Sequence, residues 1–200
     1  NILTAVLGNI SIVQARAEPG SPAQERLAMA EKAALRARDL VRQLLTFSRG
    51  GAPARKAVSI ADLVRRSAGL ALGGSNVRSK CLLPENLWPA EADEEQVLQA
   101  LAHVLMNADE SMPGGGVIRI EAENVLVDDT LGLPVEPGRY VRVSIRDRGS
   151  GIPPQHLRRI FDPYFTTKEK ARGLGLAIVG SIIQRHGGHV RVESVEGAGT

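Results

Sequence analysis

The chain has 200 residues, of which 43% are hydrophobic and 24% are charged, so it can bury one or two sizeable cores. Its formal net charge of +3 is spread in small pairs such as Arg65-Arg66, without aromatic residues between them that could stack on bases, which disfavours nucleic-acid binding. A single cysteine, Cys81, excludes an intrachain disulfide, and the lack of a long apolar run or of a signal peptide before Asn1 predicts a soluble, cytoplasmic piece without membrane contact.

The first 50 residues predict a helical hairpin. A helix is expected over residues 1–17, and Glu18-Pro19-Gly20 ends it. Ser21-Pro22-Ala23-Gln24 then starts a second helix with the arrangement of a capping box. The second helix repeats small and apolar residues in the spacing of a coiled-coil seam, at Leu27, Ala30, Ala34, Ala37, Val41 and Leu44.

Two helices cannot enclose both of their apolar stripes. We therefore predict a homodimer in which residues 1–50 of two chains form a four-helix bundle. The alternative is that the hairpin packs on the downstream domain of the same chain. The Gly-Gly-Ala-Pro sequence over residues 50–53, at the start of the linker predicted over 51–58, favours the dimer, because it has the composition of a linker between separate units.

Residues 59–200 predict a domain of mixed helices and strands. Ser59 and Asp93 are predicted N-caps, each followed by a helix. The expected elements are a helix over 60–71, a strand over 78–83, a helix from Asp93, strands over 117–125 and 140–147, a helix over 176–185 and a strand around Val190 and Val192.

The strand over 140–147 directs a carboxylate inward. Asp147 is in phase with Val141, Val143 and Ile145, and no basic residue shares that face of the strand. An inward carboxylate is costly unless a donor reaches it, so we interpret Asp147 as the acceptor for a ligand donor such as a purine amino group. The glycines that follow allow a close backbone approach, although a plain turn after a strand is the alternative.

A second glycine pair and one asparagine suggest where phosphates would bind. Gly173-Leu174-Gly175 leads into an apolar helix, whose first N–H groups suit phosphate oxygens, although the pattern is neither a Walker A motif nor a dinucleotide fingerprint. The amide of Asn107 suits a phosphate-bound Mg²⁺, with a solvent-facing asparagine as the alternative. His186 and His189 lack the spacing of a zinc pair and are interpreted as structural or surface residues.

Four motifs occur in the order of the N, G1, F and G2 boxes of sensor histidine kinases, and the chain resembles that family over nearly its whole length. They are Asn107-Ala108, Asp147-Arg148-Gly149-Ser150-Gly151, Phe161-Asp162-Pro163-Tyr164-Phe165 and Gly173-Leu174-Gly175-Leu176. The segment Asn1-Ile2-Leu3-Thr4 and the hairpin are similar to the family's dimerisation and phosphotransfer domain. The resemblance implies an α+β chain with a helical hairpin over 1–50, a linker over 51–58 and an ATP-binding α/β sandwich over 59–200, of the histidine kinase, gyrase and chaperone type.

The resemblance also implies a role for each site residue. Asn107 would ligate the magnesium that bridges the ATP phosphates, and Asp147 would accept the adenine amino group. Gly149 and Gly151 would shape the adenine side of the pocket, and Thr200 would support Asp147. A lid over 161–172 would bring Lys168 and Arg172 near the phosphates. The residues that would close over the phosphates are Gly173, Leu174, Gly175 and Leu176.

Three departures from the family pattern bear on activity. His103 replaces a second asparagine, which would weaken metal coordination unless the imidazole itself contributes, and Ala171 replaces a glycine of the lid hinge. The phospho-accepting histidine would lie just upstream of Asn1, which takes the position that orients water for dephosphorylating the partner.

The implied function is the cytoplasmic kinase core of a two-component sensor histidine kinase. Such an ATP-dependent protein-histidine kinase binds Mg-ATP and passes its γ-phosphoryl group to a histidine, for relay to an aspartate of a response-regulator receiver domain. A catalytically impaired dimeric signalling module with the same fold is the first alternative. An ATPase of the gyrase or chaperone type is the second, and the hairpin before the ATP domain disfavours it.

Overall fold

The computed structural model describes residues 2–14, 20–24, 26–31, 34–35, 53–168 and 172–200. The chain divides into two compact units, Asn1–Gly50 and Gly51–Thr200. None of the helices within these described ranges is long and apolar enough to cross a membrane.

The first unit contains helix α1 (Ile2–Gln14) and further helical residues at 22–24, 26–31 and 34–35. The predicted cap at Ser21 is present, because the Gln24 N–H donates to Ser21 Oγ at 3.3 Å. The Gln24 side chain reaches back to the Gly20 N–H at 2.7 Å, one residue before the position that a capping box uses. Of the predicted helix break, Glu18 and Pro19 lie outside the described residues and Gly20 lies inside them. The seam residues Ala37, Val41 and Leu44 also lie outside the described residues.

The second unit contains two small sheets and four helices within its described residues. In chain order its elements are β1 (Lys56–Val58), α2 (Ile60–Ala71), β2 (Val77–Leu82), β3 (Ala90–Ala92), α3 (Glu94–Glu110), β4 (Gly116–Val127), a 3-10 turn (Asp129–Leu131), β5 (Gly138–Arg146), α4 (Pro154–Leu157) and α5 (Gly175–Arg185). The predicted helices and the strands β2, β4 and β5 are all found close to their expected bounds. Strand β1 lies inside the segment that we expected to be a linker.

The larger sheet has the strand order β2-β4-β5, with β2 parallel and β5 antiparallel to β4. Strand β4 shows the predicted alternation, since Ile118 and Ile120 are 0% exposed and Ala122 is 5% exposed. Ile118 and Ile120 pack in one core with Val64 of α2 and Leu105 of α3. Helix α3 also packs against α5, so the sheet and both neighbouring helices fix its position.

The N-cap of α3 is joined to the end of α5. Asp93 Oδ1 accepts from the Gln96 N–H at 3.2 Å, as expected of an N-cap. The Asp93 N–H, which a capping box would satisfy with Gln96, donates instead to His186 Nε2 at 2.9 Å. His186 Nδ1 lies 2.8 Å from the Ile182 carbonyl oxygen, so this histidine is structural, as predicted.

The strand predicted around Val190 and Val192 is not formed. Residues 188–194 pair with no strand in the described part of the chain, and the nearest pairing is an isolated bridge between Val195 and Gly199. The segment is instead attached to the loop after β5, through the Asp147 N–H to the Thr200 carbonyl at 2.8 Å and the Gly197 N–H to the Ser150 carbonyl at 2.7 Å. Alternating valines predicted a half-buried strand, but a strand also needs a neighbour with free backbone groups.

Candidate functional site

Asp147 is the first residue after β5, and its half-buried carboxylate is held through one oxygen. Oδ1 accepts from the Gly149 N–H at 2.8 Å and the Thr200 N–H at 3.3 Å, and it lies 3.3 Å from Ser111 Oγ. Within the described ranges no residue donates to Oδ2, and no lysine or arginine pairs with this carboxylate. The protein thus fixes one oxygen, and the other has no donor among the described residues.

The loop after Asp147 needs its two glycines for packing inside the protein. A Cβ on Gly149 would lie 1.9 Å from Ser111 Oγ. Gly151 has a φ of +67°, and a Cβ there would lie 2.1 Å from the Val195 carbonyl oxygen. Protein atoms therefore lie where a Cβ on either glycine would stand. The approach of this loop to a flat ligand stays a prediction.

Ser194 and Thr200 support this loop from the C-terminal segment. Ser194 Oγ accepts from the Ile152 N–H at 2.8 Å, donates to the Gly199 carbonyl at 2.9 Å and lies 2.9 Å from Thr200 Oγ1. Thr200 contacts Asp147 through its backbone N–H and carbonyl, not through its hydroxyl. Sequence reasoning missed Ser111 and Ser194, because a lone serine far along the chain carries no motif.

A second cluster lies where α3 meets the start of α5. Gly175 opens α5, and a Cβ there would lie 3.5 Å from His103 Nδ1 and 3.9 Å from Asn107 Nδ2. Both side chains are half-buried, and neither has a hydrogen-bond partner among the residues described. Burial lowers the pKa of His103, so its imidazole is neutral near pH 7. An amide and an imidazole, both without a hydrogen-bond partner in the described part of the chain, therefore lie beside the N-terminus of a helix.

These groups form an incomplete cation site by themselves. In the described part of the chain there is no group of three His, Cys, Asp or Glu residues that could hold a metal ion. The Asn107 amide oxygen is a suitable Mg²⁺ ligand, and magnesium in proteins often takes its other ligands from water and substrate phosphates. The residues therefore fit a magnesium ion that arrives with a phosphate-bearing ligand.

A backbone hydrogen bond joins the F motif to the G2 motif. The Tyr164 N–H donates to the Gly173 carbonyl at 2.8 Å, and Tyr164 itself has a φ of +67°. Gly173 has a φ of +65°, and a Cβ there would lie 2.5 Å from the Phe165 carbonyl oxygen. The two ends of the predicted lid are therefore in contact, while Ala171, with residues 169 and 170, lies outside the described residues.

The two basic residues predicted near the phosphates differ in their contacts. Lys168 Nζ lies 2.5 Å from Glu110 Oε2, at the last residue of α3 and three residues after Asn107. Arg172 is exposed and forms no ion pair with any described residue. The structure thus places Lys168, but not Arg172, against the turn of α3 that carries Asn107.

The predicted site residues fall into two groups that meet at the end of α3. Asp147 and Gly149 adjoin Ser111, Thr200 bonds Asp147, and a Cβ on Gly151 would meet Val195. Gly175 adjoins Asn107 one helical turn before Ser111, and its neighbours Leu174 and Leu176 are buried and half-buried. Asn1, the predicted dephosphorylation residue, lies outside the described residues.

Comparison with known proteins shows which family the second unit matches. The family model of the histidine kinase-, DNA gyrase B-, and HSP90-like ATPase matches residues 92–200, which include every residue of both groups. This match covers more than half of the chain.

Individual relatives extend the similarity over the first unit. The chain is 33% identical over 207 residues to the sensor kinase CckA of Brucella abortus (strain 2308), covering 100% of this chain and 22% of that protein. It is 32% identical over 203 residues to the sensor histidine kinase ZraS of Escherichia coli (strain K12), covering 100% of this chain and 41% of that protein. The chain thus spans well under half the length of these two relatives.

A solved structure shows the same fold. Full-length ShkA in complex with AMPPNP superposes with a TM-score of 0.77 at 27% identity, covering 98% of this chain and 41% of that chain. The α+β architecture of the second unit therefore matches a histidine kinase ATPase domain. The recognition made from the four motifs is confirmed: the chain belongs to the histidine kinase-, DNA gyrase B- and HSP90-like ATPase family, as the ATP-binding-domain part of a sensor histidine kinase.

Proposed function

We propose that this chain is the kinase core of a two-component sensor histidine kinase and that residues 59–200 bind ATP with magnesium. The observation that carries the proposal is the Asp147 carboxylate, whose Oδ1 is held by the protein while no described residue donates to Oδ2. A half-buried acceptor without a cation beside it suits a neutral N–H donor. The exocyclic amino group of adenine is such a donor.

The phosphate chain would bind between α3 and the start of α5. The N–H groups of the first turn of α5 and the positive end of its dipole suit phosphate oxygens. Asn107 would hold the magnesium ion, with His103 as a possible further ligand, and Gly173, Leu174, Gly175 and Leu176 would close over the phosphates. When bound, the ion neutralises phosphate charge.

Phosphoryl transfer depends on positioning and charge neutralisation more than on covalent chemistry by the protein. Lys168 and Arg172 would supply positive charge near the γ-phosphoryl group. The bond between this group and ADP breaks with its electron pair on ADP, and the lone pair of the unprotonated imidazole nitrogen forms the new bond to phosphorus. The proton on the other ring nitrogen can then pass to solvent. We place the accepting histidine just upstream of Asn1, and we take a response-regulator receiver aspartate as the next acceptor. Asn1 would orient water for dephosphorylating that partner.

Residues 1–50 would form the dimer. In the described part of this unit Ile12 is 55% exposed, Val13 is 53% exposed and Met29 is 73% exposed. A four-helix bundle with a second copy of the chain would cover such residues. The proposed domains are accordingly the hairpin over 1–50, a linker over 51–58 and the ATP-binding domain over 59–200, in a cytoplasmic location.

A catalytically impaired signalling module with the same fold is the second candidate. The position of His103 favours it, because a neutral imidazole beside Gly175 occupies a place where the family's pattern has an asparagine oxygen. Such a module would bind ATP without transferring phosphate.

The adenine contact is tested by Asp147→Asn in the whole chain. The amide would present either a donor or a weaker acceptor to adenine, so ATP binding measured by calorimetry should be lost while the dimer remains. Asp129→Asn is the matched control, because Asp129 is exposed in the 3-10 turn and bonds no described residue through its side chain. Unchanged ATP affinity in Asp147→Asn would refute the pocket.

Transfer is tested separately with a longer chain that begins about ten residues upstream of Asn1. Incubation with labelled ATP should produce acid-labile phosphate on the protein if the chain is a kinase. Bound ATP without acid-labile phosphate would favour the impaired module.

A further inference from the structure

An ion pair joins the predicted lid to the helix that carries Asn107. Lys168 Nζ lies 2.5 Å from Glu110 Oε2, and the two side chains are 43% and 54% exposed. The residues are 58 positions apart in the chain, so the contact is not a consequence of local geometry. Glu110 is one helical turn from Asn107, which places the Lys168 ammonium beside the proposed phosphate site.

Glu110 has no evident role in the stability of α3. It is the last residue of the helix, where the dipole disfavours a negative charge, and the last turn of α3 contains no basic residue. Asp109, its neighbour, accepts a hydrogen bond from Ser75 Oγ, whereas Glu110 has no partner other than Lys168 within the described ranges. Of the described residues, Lys168 in the predicted lid is therefore the one that pairs with this carboxylate.

We propose that Glu110 sets the affinity for nucleotide phosphates by competing with them for Lys168. This inference rests on the proposed function, because it requires that the phosphate chain binds near Asn107. Without nucleotide, Lys168 is neutralised by Glu110. A bound phosphate chain offers Lys168 a second anion, and Lys168 must leave Glu110 to pair with it.

The exposure of the pair makes this exchange possible. Solvent-exposed ion pairs contribute little to stability, because water screens the charges and two long side chains must be ordered. The Lys168–Glu110 pair can thus hold the ammonium near the site without locking it there. Its loss should change phosphate binding modestly, by roughly two- to fivefold.

Titration calorimetry of the whole chain with ATP, ADP and adenosine, each with magnesium, tests the proposal. Glu110→Gln removes the competing charge, so ATP should bind roughly two- to fivefold more tightly, ADP less so, and adenosine as in the wild type. Lys168→Gln should weaken ATP binding. In the Lys168→Gln background, Glu110→Gln should have no further effect.

The matched control is Glu95→Gln, on the same helix, since Glu95 is exposed and pairs with no described residue. This substitution should leave ATP affinity unchanged, and thermal unfolding should show that every variant is folded. A Glu110→Gln effect that persists in the Lys168→Gln background would overturn the proposal, because Glu110 would then repel phosphate directly.

Two further outcomes separate this inference from the proposed function. If ATP binds and Asp147→Asn abolishes binding, but Glu110→Gln has wild-type affinity, the inference is wrong and the proposed function stands. If the wild-type chain does not bind ATP at all, the proposed function is wrong and the inference fails with it.

Discussion

Gly149 lies so close to Ser111 that a Cβ on Gly149 would be 1.9 Å from Ser111 Oγ, and the Ser150 N–H donates to the Ser111 carbonyl at 3.1 Å. Ser111 is the C-cap of α3, and its own N–H donates to the Asn107 carbonyl at 3.1 Å. One serine therefore joins the loop that carries Asp147 to the helix that carries Asn107. The proposed adenine and phosphate contacts are fixed relative to each other through this junction.

The junction predicts the effect of Gly149→Ala. The added methyl group cannot fit beside Ser111 without moving the loop, and overpacking of this kind costs about 1–3 kcal/mol. Because a shift of this loop would also move Asp147, ATP affinity measured by calorimetry should fall roughly tenfold or more. Gly114→Ala is the control, because nothing lies within 4 Å of a Cβ there. A folded Gly149→Ala variant with wild-type ATP affinity would contradict the assigned role of this loop.

Ser194 should contribute to stability out of proportion to its size. In the wild type, Ser194 Oγ accepts from the Ile152 N–H at 2.8 Å and lies beside the Thr200 hydroxyl. Ser194→Ala leaves both groups without this partner. A part-buried donor that loses its acceptor costs about 1–3 kcal/mol, which urea denaturation would measure. Ser79→Ala, at an exposed residue of β2 whose side chain bonds no described residue, should change stability by less than about 0.5 kcal/mol. Equal stability of the two variants would argue against the Ser194 network.

Sequence periodicity predicted most elements of the second unit because their signals are local. The Ser59 cap accepts from the Asp62 N–H at 3.3 Å, three residues away, and α2 begins at the next residue as expected. The alternation in β4 similarly reflects one buried face. In each case a spacing of a few residues contains the physical cause.

The contacts that the sequence did not predict connect distant residues. Asp147 and Ser111 are 36 positions apart, and Asp93 and His186 are 93 positions apart. Strands β1 and β3 have three residues each, too few to give a periodic signal, and they are strands because they pair with each other. The Val190 segment shows the converse, since a valid local pattern has no neighbouring strand to complete it.

Glu94 predicts a dependence of stability on acid pH. Hydrogen bonds and charge from Lys56, then from Arg66, lower the pKa of Glu94 from 4.5 to about 2. A carboxylate with a lower pKa in the folded state stabilises it above the unfolded pKa, and this stabilisation is lost as pH falls from about 4.5 towards 2. Urea denaturation at pH 6 and pH 3 should therefore show a smaller pH effect in Glu94→Gln than in the wild type. An equal pH effect in both proteins would show that the exposed ion pairs of Glu94 with Lys56 and Arg66 do not contribute to the free energy of unfolding.

His103 predicts a second dependence of stability, near neutral pH. Burial lowers its pKa below the ordinary value of 6.5, so the folded state binds the proton less well than the unfolded state. The stabilisation from the neutral imidazole is present above pH 6.5 and is lost as pH falls through the lowered pKa of the folded state. His103→Asn should remove this part of the pH dependence of the unfolding free energy, whereas His156→Asn, at a residue whose ring packs against Phe165, should keep it.

The same substitution tests whether His103 limits metal-assisted nucleotide binding. An asparagine at 103 would add an amide oxygen beside Asn107 and Gly175, where His103 now presents a ring nitrogen 3.5 Å from a Cβ built on Gly175. One added polar contact is worth about 0.5–1.5 kcal/mol, so ATP affinity in the presence of magnesium should rise roughly two- to tenfold. Chelation of magnesium should abolish the difference between His103→Asn and the wild type. A gain that survives chelation would mean that residue 103 contacts the nucleotide itself, and no gain at all would mean that it faces neither the nucleotide nor the ion.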